Sequence, residues 1–322
     1  TYVLDLITLA ESILEDPVHV LRKQLDKVKE RKIAQWKAEG MEYDQRMEEL
    51  EKLEHPKPNR EFIYETFNQF AKTHPWIGEE NIRPKSVARE MVESFLSFDD
   101  YIRNYSLQRV EGVLLRYVTE VYKVLTQTVP DEFNTPEVRE AVLFLELMIR
   151  QTDSSLLDEW EKMRDPQAFA KKKETATDTK DNSSSNAEEN YLDPVRNRKA
   201  FEVVLRNQVF SIVRLLALDQ LDEAGQRLAE FSNQEKIEWP TPRLEDALAS
   251  YFEEYDQIRL DADARSPKWT QIGDISQEVW KVRQTLLDPN DNAEWALCFE
   301  VDIPKSKKES RPIMRLIEFQ HS

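Results

Sequence analysis

One stretch, residues 81–130 (NIRPKSVAREMVESFLSFDDYIRNYSLQRVEGVLLRYVTEVYKVLTQTVP), constrains the fold more than any other. Its second half predicts a single long amphipathic helix. With Val110 as origin and about 100° per residue, Tyr117, Val121, Leu114, Leu125 and Val118 share one apolar arc, which Val124, Tyr122 and Leu115 widen. Arg109, Arg116 and Lys123 recur every seven residues on the other side, within roughly 40° of one another. A face this apolar requires a packing partner, and a cationic stripe opposite it offers a site to an anion. Gly112 falls on the stripe side, where it costs about 1 kcal/mol of helix propensity relative to Ala and predicts a close approach of something to the backbone.

The residues before it repeat the pattern. Val87, Met91, Phe95, Phe98, Ile102 and Tyr105 form a helical stripe, with Lys85, Arg89 and Arg103 pointing away from it. Ser97-Phe98-Asp99-Asp100 has the form of a capping box, which would split the segment into two helices, and Pro84 suits the first turn of the first.

This stretch, continued by MIRQTDSSLLDEWEKMRDP, resembles the region that follows the motor in bacterial superfamily 2 DExH helicases, within the wider group of Ski-type and exosome-associated helicases. The similarity extends over nearly the whole chain, including the C-terminal stretch WKVRQTLLDP…EWALCFEVDI, which resembles an uncharacterised domain at the end of those proteins. The resemblance implies an accessory region whose partners are helicase motor domains, on the same or a separate chain. It also implies a helical bundle beside a translocating single strand of RNA or DNA. The nucleic-acid candidates are then Arg109, Arg116 and Lys123, with Lys85, Arg89 and Arg103 beside them. The engine itself is not here. No G-x-x-x-x-G-K-[ST] loop and no DExH box occurs, and the five glycines are too scattered to build a phosphate-cradling loop.

Few glycines argue for helices over turn-rich β structure. The charge sets a second bound: 45 Lys and Arg against 62 Asp and Glu give −17, which opposes generic nucleic-acid coating. Strand contact must therefore rest on a local stripe. The single cysteine, Cys298, excludes an internal disulfide and fits a reducing cytoplasm. No signal peptide and no run of about 18 apolar residues occurs, so no membrane partner is expected. A first residue of Thr rather than Met is expected of a fragment or a processed chain.

In chain order, residues 1–80 read as a helical connector. Its first 54 form a solvated hairpin of mixed charge rather than a nucleic-acid arm, with Gly40 as a C-terminal helix stop. A cluster of Phe62, Ile63, Tyr64, Phe67 and Phe70 follows, spaced as core. Residues 81–166 read as a helical bundle, which the resemblance implies is ratchet-like. Residues 167–193, including Lys171-Lys172-Lys173, read as a disordered linker. Residues 194–322 then give helices followed by period-two strands at Trp280–Leu286, Trp295–Ile303 and Ile313–Phe319, separated by turns at Asp288–Asp291 and Pro304–Pro312. The fold class is thus mainly α: an N-terminal helical bundle and then an α+β domain with a three-stranded antiparallel sheet.

No chemistry announces itself. The four histidines are dispersed, one cysteine cannot make a thiolate metal site, and adjacent carboxylates on a helix diverge by about 100°. No catalytic residue, metal or cofactor is expected. Two functions follow: a non-catalytic helicase region that guides a single strand or docks partners, or a stand-alone protein-interaction scaffold with no nucleic-acid role.

Overall fold

The computed structural model describes residues 2–77, 81–153, 155–164, 197–234, 236–261, 263–274, 276 and 278–321. The chain divides into two compact units, Thr1–Pro166 and Gln167–Ser322. The expected linker and its three lysines lie outside the described residues. Among the described residues, no helix is long and apolar enough to cross a membrane.

The first unit is helical: α1 (Tyr2–Ser12), α2 (Val18–Ala38), α3 (Tyr43–Glu51), α4 (Arg60–Thr73), α5 (Ala88–Glu93), α6 (Phe98–Tyr105), α7 (Glu111–Thr128), α8 (Pro136–Thr152) and α9 (Ser155–Arg164). One core serves most of it. Ile7, Ala10, Val20 and Leu21 from α1 and α2 join Val87, Met91, Phe98, Tyr101, Leu114, Val118, Val121, Leu145, Ile149 and Leu157. The first two helices thus share the interior of the bundle.

Local chemistry sets the boundaries. Ser97 caps α6 by accepting from Asp100 N at 3.1 Å, and Asp100 Oδ2 accepts from Ser97 N at 3.3 Å, which completes the capping box. Gly40, at φ 74°, follows α2, with Gly40 N bound to Lys37 O and Met41 N to Trp36 O; this is a Schellman stop. Pro84, expected in the first turn of α5, lies ahead of it. The helix starts at Ala88 because the Glu11 carboxylate takes the first free N–H groups there.

The aromatic cluster of α4 corrects an expectation. Ile63 alone is buried, whereas Phe62 is 65% and Phe70 45% exposed. Phe70 stacks on His74 with centroids 3.9 Å apart, and Trp76, 76% exposed, meets both rings edge-on. Helical spacing shows that residues share a face; it does not show that anything covers that face.

The described part of the second unit begins with α10 (Arg198–Ala217), α11 (Leu221–Ser232) and α12 (Thr241–Glu254). An antiparallel sheet follows in the order β1 (Thr270–Asp274), β2 (Val279–Leu286), β3 (Trp295–Asp302), β4 (Met314–His321). Four strands stand where the sequence pattern gives three. β1 is a five-residue edge strand containing Gly273, too short for an alternating pattern to register. The expected turn after β3 is instead the helix α13 (Ile303–Glu309). Asp302 caps it by accepting from Lys305 N at 2.9 Å, and Pro304 occupies its first turn.

In β4 a bulge opposite Cys298 and Phe299 shifts the register. Leu316 pairs with Phe299 and Met314 with Val301, so these two are buried, while Ile317 is 36% exposed. The Asp288 carboxylate closes the β2–β3 turn by accepting from the N–H groups of Asn290, Asn292 and Ala293. α10 lies against β2 and α11 against β4. Between them Phe201 meets Trp280 edge-on at 5.5 Å, and Trp239 donates its indole N–H to Leu316 O at 2.9 Å.

Candidate nucleic-acid interface

The stripe on α7 owes its outward direction to what holds the other face. Leu114, Leu115, Tyr117, Val118, Val121, Tyr122 and Leu125 are buried, against α1, α8 and α9. At about 25 cal/mol per Å² of apolar surface, a face of this kind is worth several kcal/mol and fixes the helix's rotation. A polar clamp adds direction. Tyr117 Oη donates to Glu11 Oε1 at 3.0 Å, and the same carboxylate accepts from Val87 N, Ala88 N and Arg89 N at 2.7, 2.9 and 3.0 Å. Glu11 thus ties α1, α5 and α7 together. Burial pushes its pKa upward, and the three backbone N–H groups and the Tyr117 hydroxyl oppose that rise.

The six basic candidates separate into three pairs. Lys85 is fully buried. It donates to Glu11 O at 2.9 Å and Leu14 O at 2.6 Å, carbonyls at the end of α1, and forms an ion pair with Asp16 Oδ1 at 3.0 Å. Burial lowers its pKa, and Asp16 pulls the other way. Arg89 is nearly as enclosed, donating to Thr8 Oγ1 at 2.9 Å and lying 3.3 Å from Asp5 Oδ1 and 3.5 Å from Glu93 Oε2. These two cations serve the interior and offer no surface to a phosphate. The helical stripe that placed them outside could not anticipate the ends of α1 and α5 meeting there.

Arg103 and Lys123 reach solvent but are engaged. Arg103 binds Asp100 Oδ1 at 2.8 Å, and Lys123 binds Glu120 Oε1 at 2.9 Å. Arg109 and Arg116 form the third pair. Both are exposed, and neither makes a hydrogen bond or ion pair among the described residues. The carboxylate best placed in sequence to neutralise Arg116, Glu120 at i+4, is committed to Lys123 instead. Arg109 stands just ahead of the helix, in the turn where Val110 N donates to Leu107 O, so the stripe begins at the α6–α7 corner. Arg116 and Lys123 then follow with a rise of about 10.5 Å between them. Gly112, between the two free arginines, faces open space: a Cβ built there meets nothing within 4 Å. No backbone or side chain approaches it, contrary to the close contact expected from its position.

The second unit holds one cluster that sequence distance concealed. His321 Nε2 lies 3.8 Å from Glu254 Oε2 and 4.0 Å from Glu294 Oε2. All three residues are exposed, and they are the one set of metal-ligating donor types brought together among the described residues. Trp295 Nε1 donates to Glu254 at 3.0 Å and Tyr255 Oη to Glu294 at 3.2 Å. The carboxylates are therefore already held by neutral donors, and His321 lies beside them as an exposed third member.

A family model described as a domain of unknown function, DUF3516, matches residues 1–319. No curated protein and no solved structure matches the chain.

Proposed function

The chain belongs to the DUF3516 domain family, and from that premise we propose that it is the non-catalytic accessory region of an ATP-dependent helicase whose first unit guides a single strand. The motor domains, on the same or another chain, supply ATP hydrolysis, and the cytoplasm is the compartment. The observation that carries the reading is the pair Arg109 and Arg116: exposed and without carboxylate partners among the described residues, Arg116 aimed outward by a buried helix face and Arg109 in the turn just ahead of it, in a chain of net charge −17. In a chain this acidic, two exposed guanidiniums seven residues apart and without an internal carboxylate favour an anion from outside. Arg109, Arg116 and Lys123 contact backbone phosphates, which requires no sequence-specific readout.

The test is Arg109→Gln, Arg116→Gln and Lys123→Gln together, with single-stranded RNA affinity measured across a salt series. Affinity is expected to fall and the log–log salt slope to flatten by up to about 2, at roughly 0.7 per phosphate contact on single strands. An unchanged affinity and slope would return this face to the solvent. A second reading, a stand-alone interaction scaffold, is favoured by the uncovered Phe62, Phe70 and Trp76. Apolar docking there would persist at salt concentrations that remove strand binding.

A further inference from the structure

The most cationic element of the chain is α2. Its 21 residues carry seven Lys and Arg against two Asp and Glu, a net of +5 within a chain of −17. None of those seven cations makes an ion pair with a carboxylate among the described residues. Lys32 donates to Gln35 Oε1 and Lys27 to Asn104 O, both uncharged acceptors, while Arg22, Lys23, Lys29, Arg31 and Lys37 donate to nothing there. Asp26 and Glu30, on the same helix, leave these cations unpaired as well. Other mixed-charge stretches of this unit pair their signs at i, i+3, as Lys52, just past the end of α3, does with Glu49 and Lys57, in the loop that follows, with Glu54. α2 does not.

Its placement matters as much as its charge. Only Val20, Leu21 and Gln24 are buried, so the helix is anchored most deeply by its first turns; beyond them it meets α6 and α3, and its remaining residues are half-buried or exposed. Lys23, Lys27 and Arg31 recur every four residues, one row with a rise of about 6 Å per step. That row meets the end of α6. Lys27 Nζ lies 3.3 Å from Asn104 O and 4.8 Å from the centre of the Tyr105 ring, and the Arg31 charge acts on the Tyr105 phenol. Arg109 is five residues beyond Asn104, at most about 17 Å away even along extended chain. The intervening residues turn at Ser106 and Leu107 rather than extend. The α2 row and Arg109 therefore lie near one short corner, with Arg116 farther along α7.

We propose that Lys23, Lys27 and Arg31 of α2 form a second phosphate-binding row, continuous with Arg109 and Arg116, so that one single-stranded nucleic acid crosses the α6–α7 corner and is held on both sides. This rests on the reading of α7 as strand-contacting and adds an element to it. A row of point charges on a helix, without a pocket, selects for the regular anionic repeat of a strand and is indifferent to base identity.

The experiment compares four forms of the full chain: wild type, Lys23→Gln/Arg31→Gln, Arg109→Gln/Arg116→Gln/Lys123→Gln, and the combination. Lys27 is left in place because it contacts α6, and circular dichroism confirms that each form keeps its helices. The probe is a fluorescent 20-nucleotide oligouridine read by anisotropy over a salt series, with an oligothymidine arm for DNA. Poly-glutamate, titrated separately, represents an acidic protein segment. The α2 pair is expected to weaken oligouridine binding about tenfold near physiological salt and to flatten the slope by about 1.4, two contacts at roughly 0.7 each. Oligouridine binding unchanged by the α2 pair overturns the proposal, and if poly-glutamate binding falls in that same variant, α2 belongs to an acidic protein partner. An α7 triple indistinguishable from wild type, with the α2 pair weakened, retires the α7 reading and leaves α2 as the strand site. Wild type that fails to bind either oligonucleotide retires both.

Discussion

At the scale of single residues, Glu11 and Lys85 carry the most consequence, and neither is where its type usually sits. Glu11 holds three backbone N–H groups and one phenol, so Glu11→Ala strands four buried donors and removes a carboxylate from beside a buried ammonium. A loss of about 3–5 kcal/mol in urea-unfolding free energy is expected; a loss under about 1 kcal/mol would mean the clamp is not load-sharing. The pH dependence has a definite sign. Because burial raises the Glu11 pKa above its ordinary 4.5, the stability that protonation contributes is complete below about 4.5 and is lost as pH rises through the folded-state value. Glu11→Gln cannot titrate, so the stability of wild type relative to Glu11→Gln should fall as pH rises from 4.5; a difference flat with pH would contradict the shift. Little of this was legible in the sequence. A buried Lys or Glu is spelled like an exposed one, and a helical stripe reports direction from its own axis only. The exposure of Arg116 was legible because the opposite face of α7 is so apolar that its direction leaves no choice, whereas Arg109 falls in the turn ahead of that helix.

At the scale of elements, the reading succeeded where a local rule closes on itself. The box of Ser97 and Asp100 and the stop at Gly40 need only a few neighbouring residues to act. It failed where an element depends on a distant partner. β1 exists because β2 offers it an edge, and the β4 bulge exists because Leu316 must meet Phe299. Two glycines in helices separate these cases by experiment. A Cβ at Gly225, in α11, would stand 2.6 Å from Trp239 O, a backbone atom that cannot swing aside. Gly225→Ala is expected to cost about 1–3 kcal/mol by forcing the helix off that carbonyl. Gly112→Ala meets open space and is expected to stabilise α7 by about 0.5–1 kcal/mol. Thermal or urea unfolding of the two variants should move in opposite directions; movement in the same direction would show that one of these environments is misread.

At the scale of the whole molecule, each unit has its own core and its own hydrogen-bonded frame. Glu11→Ala should therefore lower the unfolding transition of the first unit, and Gly225→Ala that of the second, with the other midpoint unmoved; a common shift would mean that the units melt as one. The division into a helical part and a part ending in an antiparallel sheet was legible because the apolar period changes from helical to two near Trp280. One further consequence belongs to α2, which is most deeply buried in its first turns and less so beyond them. Its amide protons should exchange with solvent in a gradient, slowest from Leu21 to Leu25, where opening requires disruption of the core, and fastest toward Ala38, where fraying of the last turns suffices. A strand lying along the row would flatten that gradient from the outer end inward, so exchange protection would read out occupancy residue by residue.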